Sequence, residues 1–160
     1  MGVINRIPRN FKTAKGIRGV FGGGTTGTNS NAMDYITIAT TGNVTDFGDL
    51  TVARRAAGGV SSSTRGVFGG GYLDEYSNVM DYITIATTGN ATDFGVLTVA
   101  RYGVAGVSSS TRGVFGGGST GTYSNAMDYI TIATTGNATD FGVLTVARSY
   151  AAGVSNYARE

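Results

Sequence analysis

Few residues of this chain belong to the types that carry out most enzyme chemistry. Its 160 residues include no histidine and no cysteine, which excludes a Ser-His-Asp triad, a cysteine nucleophile and a metal site built on imidazole or thiolate. A pair of carboxylates can hydrolyse a glycoside, but Asp74 and Glu75 are the only adjacent acids. We therefore predict a protein that is not an enzyme and that needs neither a metal nor a cofactor.

Two glycine-rich segments, residues 22–27 and 116–121, fit the G-x-G-x-x-G pattern of dinucleotide-binding loops. Such a loop binds the pyrophosphate where it opens a helix after a strand. In this chain the sequence that follows has the alternation of a strand, and Asp74 interrupts the pattern in the intervening copy. Nucleotide binding is therefore not expected.

The composition of the chain further limits the classes of fold and function that it could have. The formal net charge is +2, so a broadly basic surface for nucleic acid is not expected. The chain has 27 glycines and one proline, which favours short strands and tight turns over helices. The first residues lack the apolar core of a signal peptide, and no apolar run is long enough to span a bilayer, so we expect no membrane contact.

A sequence repeat dominates the chain. The segment Arg-Gly-Val-Phe-Gly-Gly-Gly begins at Arg18, Arg65 and Arg112, a period of 47 residues without insertion or deletion. A sheet built from one such repeat is too small to bury its own faces, so neighbouring repeats must cover one another. In the second repeat, strand-like composition occurs at residues 57–61, 67–69, 79–85 and 93–101, and turn-like composition at residues 62–66 and 88–90.

The order of these motifs resembles the kelch repeat. The shared features are a double glycine after the second strand, a tyrosine in the third, an aromatic residue in the fourth and a closing arginine. They fall at residues 22–23, 69–70 and 116–117, at Tyr35, Tyr82 and Tyr129, at Phe47, Phe94 and Phe141 in place of the family's usual tryptophan, and at Arg54, Arg101 and Arg148. The resemblance implies an all-β fold, a kelch-like β-propeller with three four-stranded blades per chain.

Three blades are fewer than the four to eight of most propellers. The first repeat lacks a copy of the strand motif at residues 105–108, whereas residues 152–156 restart that motif after the third repeat. We therefore predict a homodimer formed by strand exchange, in which residues 152–156 of each chain complete the first blade of its partner and the ring has six blades. A nine-bladed ring of three chains is the less favoured alternative.

Two domains are predicted. Residues 1–17 form a basic arm, since Arg6, Arg9, Lys12 and Lys15 recur at every third position with no acid among them. Such an arm could bind an acidic partner or nucleic acid, extend into solvent, or lie on a neighbouring subunit; we favour contact with another protein. The half-propeller is predicted over residues 18–160, with repeats near 18–64, 65–111 and 112–158.

Two loops differ among the repeats, one after the triple glycine and one after the closing arginine. In an up-and-down blade of four strands both loops lie at the same end, so the differences collect on one face. One interpretation is drift after duplication. The other is a binding face, because tyrosines among small polar residues are typical of recognition surfaces. The candidate residues are Tyr72, Asp74, Glu75, Tyr76, Tyr102, Tyr123 and Tyr150.

Other repeated residues are expected to have structural roles. The third-strand tyrosines are predicted to lie in the core. A repeated internal ion pair is predicted between the aspartates Asp34, Asp81 and Asp128 and the arginines Arg54, Arg101 and Arg148.

The amino-acid sequence of residues 81–95 also resembles repeats of bacteriophage virion and tail-associated proteins. That resemblance implies a virion component, on a tail or capsid surface, whose propeller face contacts other virion proteins or a host-surface glycan. The expected location is then the virion, or the cytoplasm before assembly. The alternative is a lectin-like propeller that binds glycans outside a virion.

Overall fold

The computed structural model describes residues 17–156. These residues form eleven strands in three antiparallel sheets and no helix, which confirms the all-β prediction. The described residues accordingly contain no helical segment that could cross a membrane. The strands are β1 (Arg18–Gly22), β2 (Ala32–Thr37), β3 (Thr45–Asp49), β4 (Gly58–Ser61), β5 (Arg65–Gly69), β6 (Val79–Thr84), β7 (Thr92–Val96), β8 (Ala105–Ser108), β9 (Arg112–Gly116), β10 (Ala126–Thr131) and β11 (Thr139–Val143).

Each sheet takes its strands from one stretch of the chain, in sequence order. Sheet 1 is β1-β2-β3, sheet 2 is β4-β5-β6-β7 and sheet 3 is β8-β9-β10-β11. The register repeats as well: Val67 lies opposite Tyr82 in sheet 2, as Val114 lies opposite Tyr129 in sheet 3. Because each hairpin joins neighbouring strands, the repeated sequence produces the same sheet each time.

The predicted strand boundaries differ from the observed ones by more than one residue in two places. The fourth strand was expected over residues 93–101, but β7 ends at Val96, and the amides of Leu97 and Arg101 then donate to the carbonyls of Asn78 and Ser77. Residues 65 and 66, expected in a turn, instead begin β5, because Arg65 and Gly66 pair with β6.

Neighbouring sheets pack closely at their first strands. Strand β4 lies beside β8, and a Cβ atom added to Gly106 would lie 2.1 Å from the carbonyl oxygen of Gly59. Phenylalanine rings of one sheet also lie over glycines of the preceding sheet: Phe68 over Gly22 and Phe115 over Gly69. These glycines are therefore needed for the close approach of one sheet to the next.

Two hydrophobic cores fill the spaces between successive sheets. The first contains Met33, Phe47 and Leu50 from the first repeat and Ile83 from the second. The second core contains residues of sheets 2 and 3 and of the segments that follow them, namely Val60, Val67, Met80, Phe94, Leu97, Val104, Phe115, Ile130 and Ile132. Each sheet is thus stabilised mainly by the sheet beside it, since burial of apolar side chains is the dominant favourable contribution to folding.

The two ends of this row of sheets differ from its middle. Within the described residues sheet 1 has three strands, so β1 lies at its edge, where β4 and β8 occupy the corresponding place in the other sheets. Residues 152–156 form no strand ladder with any other part of residues 17–156. The prediction that they complete a sheet of a partner chain therefore stays a prediction, and the arm residues Arg6, Arg9, Lys12 and Lys15 lie outside the described residues.

Candidate binding face and buried ion pairs

Four of the seven predicted site residues form one aromatic cluster, which we call the tyrosine cluster: Tyr72, Tyr76, Tyr102 and Tyr150. The rings of Tyr76 and Tyr102 stack with their centroids 5.6 Å apart and an interplanar angle of 9°. Tyr72 meets Tyr102 edge-on at 5.7 Å, and Tyr150 meets it at 5.8 Å. Aromatic pairs at these distances attract one another beyond the effect of burial, so the cluster is a preorganised surface.

Backbone hydrogen bonds between the two variable loops hold the cluster in place. Tyr72 exchanges two backbone hydrogen bonds with Arg55, and Tyr102 exchanges two with Ser119. The amide of Tyr150 donates to the carbonyl of Gly103 at 2.7 Å. These hydrogen bonds place the loop after each closing arginine beside the loop after the next triple glycine, or beside the next loop of its own kind.

Tyr150 has an uncommon backbone conformation, with φ at 56°. The equivalent positions in the earlier repeats are Ala56, with φ at 57°, and Gly103, with φ at 65°. A non-glycine residue in this left-handed region is strained. The repeat thus keeps the same backbone shape while the side chain changes, and in the third repeat it directs an exposed tyrosine toward Tyr102.

The remaining predicted residues lie around the cluster without a ring contact. Asp74 and Glu75 are exposed at the tip of the loop between Tyr72 and Tyr76. Tyr123 occupies the position of Tyr76 in the third repeat; it is 71% exposed and has no aromatic ring partner among residues 17–156. The structure therefore brings four of the seven candidates together and leaves the other three exposed.

Two residues of this face were missed by the sequence reasoning. The guanidinium of Arg55 lies 4.4 Å from the ring centroid of Tyr72 and donates to the side-chain oxygen of Asn29 at 2.8 Å. The Asn29 amide in turn donates to the carbonyl of Leu73. Arg55 and Asn29 occupy the repeat positions of Tyr102 and Tyr76, and that alignment is the signal that could have identified them.

The predicted ion pairs occur between repeats. Arg54 contacts Asp81 at 2.7 Å, and Arg101 contacts Asp128 at 2.9 Å, with all four side chains fully buried. Each arginine thus pairs with the aspartate of the following repeat, and the hydroxyls of Thr51 and Thr98 donate to the same two aspartates.

The first of these pairs lies in a strongly dehydrated environment. Burial lowers the pKa of Arg54 from its ordinary value, and the carboxylate of Asp81 acts in the opposite direction. The equivalent residues at the two ends of the row are in a different environment: Asp34 is only half-buried and Arg148 is exposed.

The third-strand tyrosines are less buried than predicted. Tyr35, Tyr82 and Tyr129 are half-buried, and each packs edge-on against the phenylalanine of the fourth strand at 6.0 to 6.1 Å. An arginine lies over the face of each tyrosine ring, with its guanidinium 4.2 to 4.7 Å from the ring centroid. A cation over an aromatic face is stabilising, so these tyrosines have the structural role that was expected.

No family model and no curated protein matches the chain. The chemistry of the face must therefore be inferred from its own residues. Tyrosine rings offer broad apolar faces and a hydroxyl that both donates and accepts hydrogen bonds. Together with the exposed carboxylates Asp74 and Glu75, such a surface can bind a ligand by stacking and hydrogen bonding.

Proposed function

We propose that this chain is a non-enzymatic binding protein and that the tyrosine cluster is the centre of its binding face. The observation that carries this proposal is the exposure of a preorganised aromatic surface: Tyr150 is 67% exposed and Tyr76 is 38% exposed although both contact other rings. Tyrosine provides large contact area at low conformational cost, which is why it dominates recognition surfaces.

We further propose that the three sheets are blades of a kelch-like β-propeller and that two chains form a six-bladed ring. The position of Phe68 over Gly22, repeated by Phe115 over Gly69, supports a regular turn from one sheet to the next. A chain of three such sheets leaves one face uncovered at each end, and two chains together supply a number of blades within the usual four to eight.

The ligand class we propose is a host-surface glycan, with the protein acting as a bacteriophage virion component on a tail or capsid surface. Stacked aromatic rings suit the apolar faces of sugars, and the nearby carboxylates suit sugar hydroxyls. The virion setting rests on the resemblance of residues 81–95 to phage repeats. There are two alternatives: binding to another virion protein, and lectin-like binding of glycans outside a virion.

A glycan array made of bacterial surface polysaccharides tests the proposed ligand. We expect Tyr76→Ala to lower binding at least tenfold, because it removes a stacked ring, and Tyr76→Phe to retain most of it. Thr88→Ala, at an exposed turn of the second repeat, is the control and should bind as the wild type does. Binding that is equal in all four proteins would contradict the proposal.

The virion setting is tested separately. Antibodies against the protein should detect it in purified particles at a fixed number of copies per particle. Protein found only in the lysate, with glycan binding intact, would favour the lectin-like alternative.

A further inference from the structure

We infer that the two open ends of the row are complementary halves of one interface, and that each binds the opposite end of a second copy of this chain. The inference rests on the two-chain ring proposed above and specifies its contacts. Sheets 2 and 3 each bury one face against the preceding sheet, and the described residues leave the same face of sheet 1 uncovered. Sheets 1 and 2 each bury the opposite face against the following sheet, and the described residues leave that face of sheet 3 uncovered. Five features of the described residues support this pairing.

The first feature is the placement of residues 152–156. A Cβ atom added to Gly153 would lie 2.2 Å from the carbonyl oxygen of Gly106, just as one added to Gly106 would lie 2.1 Å from that of Gly59. The amide of Ser108 donates to the hydroxyl of Ser155, as the amide of Ser61 donates to that of Ser108. The segment therefore already occupies the place of a fourth first strand, with Val154 92% exposed.

The second feature is the edge of β1, which no other strand of residues 17–156 covers and which lies beside an open groove of about 380 Å³. Val60 and Val107 lie opposite Val67 and Val114 in the first hairpins of sheets 2 and 3. The same register, continued into a second copy, pairs Val154 with Val20. A strand added there would satisfy an edge that otherwise invites non-specific association.

The third feature is a separated ion pair. Arg54 and Arg101 each pair with the aspartate of the following repeat, fully buried. The next arginine in this series is Arg148, which is exposed, and the aspartate that begins the series is Asp34, which is half-buried. In a closed ring Arg148 of one copy meets Asp34 of the other, which gives both of these charges a partner.

The fourth feature is an open cavity of about 320 Å³ on sheet 3, lined by Val107, Val114 and Phe141. The corresponding residues one repeat earlier, Val60, Val67 and Phe94, share a core with the fully buried Ile132. The first-repeat equivalent of Ile132 is Ile38, which is 61% exposed in the isolated chain. Ile38 of the second copy therefore fits this cavity.

The contacts between phenylalanine rings and glycines support the same pairing of the two ends. Phe68 lies over Gly22 and Phe115 lies over Gly69, whereas no phenylalanine of the described residues lies over Gly116, and Phe21 is 61% exposed. Since the same shapes recur at both ends, a second copy of this chain is the occupant that matches every feature.

A cross-linking experiment on the full chain tests the register. The protein has no cysteine, so the double variant Val20→Cys and Val154→Cys introduces the only thiols. Under mild oxidation we expect a covalent dimer on a non-reducing gel and no larger species, because a ring of two chains closes on itself. Each single variant is the control and should stay unlinked. A ladder of higher species, no dimer, or equal linkage of the single variants would overturn the inference.

The mass in solution, measured by light scattering at several concentrations, tests the same contact without cysteines. The wild type is expected to have twice the mass of the chain. Ile38→Asp should shift it to the monomer, although the residue is exposed in the isolated chain. Val99→Asp is the matched control: Val99 is 46% exposed in the second repeat, which has a sheet on either side, so this variant should remain a dimer.

The outcomes separate the two proposals. A monomeric wild type would overturn the inference and the ring together. A dimer that Ile38→Asp leaves intact and that does not cross-link would overturn only the contacts inferred here. Contact of one tyrosine cluster with a glycan does not need a second copy, so a loss of binding by Tyr76→Ala on the array tests the binding face separately from the ring.

Discussion

At the scale of the residue, the buried ion pairs connect each sheet to the next. Breaking such a pair by removing one partner leaves an uncompensated buried charge, which is strongly destabilising. Arg54 and Asp81 belong to different repeats and both are fully buried, so their contact depends on the packing of the second sheet against the first. The pair of Arg101 and Asp128 has the same role between the second sheet and the third.

Asp81→Asn is expected to lower the free energy of unfolding by about 3–5 kcal/mol, because it leaves Arg54 buried beside a neutral amide. Urea denaturation at several protein concentrations measures the change. Asp34→Asn is the matched substitution at the equivalent position, where we expect little loss within the chain and a weaker dimer instead. Equal unfolding curves for the two variants at all concentrations would contradict this assignment.

Residue-level prediction from the sequence was most successful where the repeats differ. The alignment of repeats indicated the loops of Tyr72 and Tyr102, and those two rings lie 5.7 Å apart. The partner of Arg54 could not be assigned to a particular repeat, because the contact crosses from one sheet to the next and local spacing carries no information about that crossing. Arg55 was missed because its role depends on a neighbouring repeat's ring.

At the scale of the element, strand positions were predictable from alternation and strand ends were not. The expected strand over residues 79–85 matches β6, which spans Val79–Thr84, since β-branched and aromatic residues there face alternate sides. The early end of β7 depends on hydrogen bonds from Leu97 and Arg101 to the loop before β6. Such long-range bonds leave no local pattern in the sequence.

The close approach of β4 and β8 predicts that a side chain added at Gly106 lowers the stability of the protein. Gly106→Ala would place a methyl group against the carbonyl oxygen of Gly59, and overpacking of this kind costs about 1–3 kcal/mol or more. Gly42→Ala is the control, because an added Cβ there meets no atom within 4 Å. Thermal unfolding should show a lower midpoint for the first variant only. An unchanged midpoint for Gly106→Ala would mean that the two strands can separate at little cost.

At the scale of the whole molecule, stability is a sum over sheets and the contacts between them, as in other repeat proteins. Among the described residues, the middle sheet is covered on both faces, and the outer two are each covered on one. Exposed apolar residues accordingly include Phe21 and Ile38 in the first repeat and Phe141 and Val143 in the third. The sequence predicted this imbalance from the repeat count, whereas the particular side chains that remain uncovered required the structure.

A tandem chain, made of two copies joined end to end, tests the closure of the whole ring. We expect it to have the mass of one tandem chain and an unfolding midpoint that does not change with protein concentration, because both interfaces have become internal. The wild type, as a dimer, should have a midpoint that rises with concentration. Tandem chains that pair with one another would contradict a closed ring of six sheets.

The tyrosine cluster has a consequence for how a ring would bind. The repeats differ, and the stacked pair of Tyr76 and Tyr102 arises from the second repeat alone. A ring of two chains therefore presents the cluster twice, on opposite sides of its axis, while the intervening sheets lack it. Such a molecule is bivalent. Once one cluster has bound a polysaccharide with a repeating unit, the other cluster encounters the same polysaccharide molecule at a high effective concentration. Weak binding at each cluster then becomes strong retention through avidity, and a short oligosaccharide that reaches one cluster only would be released quickly.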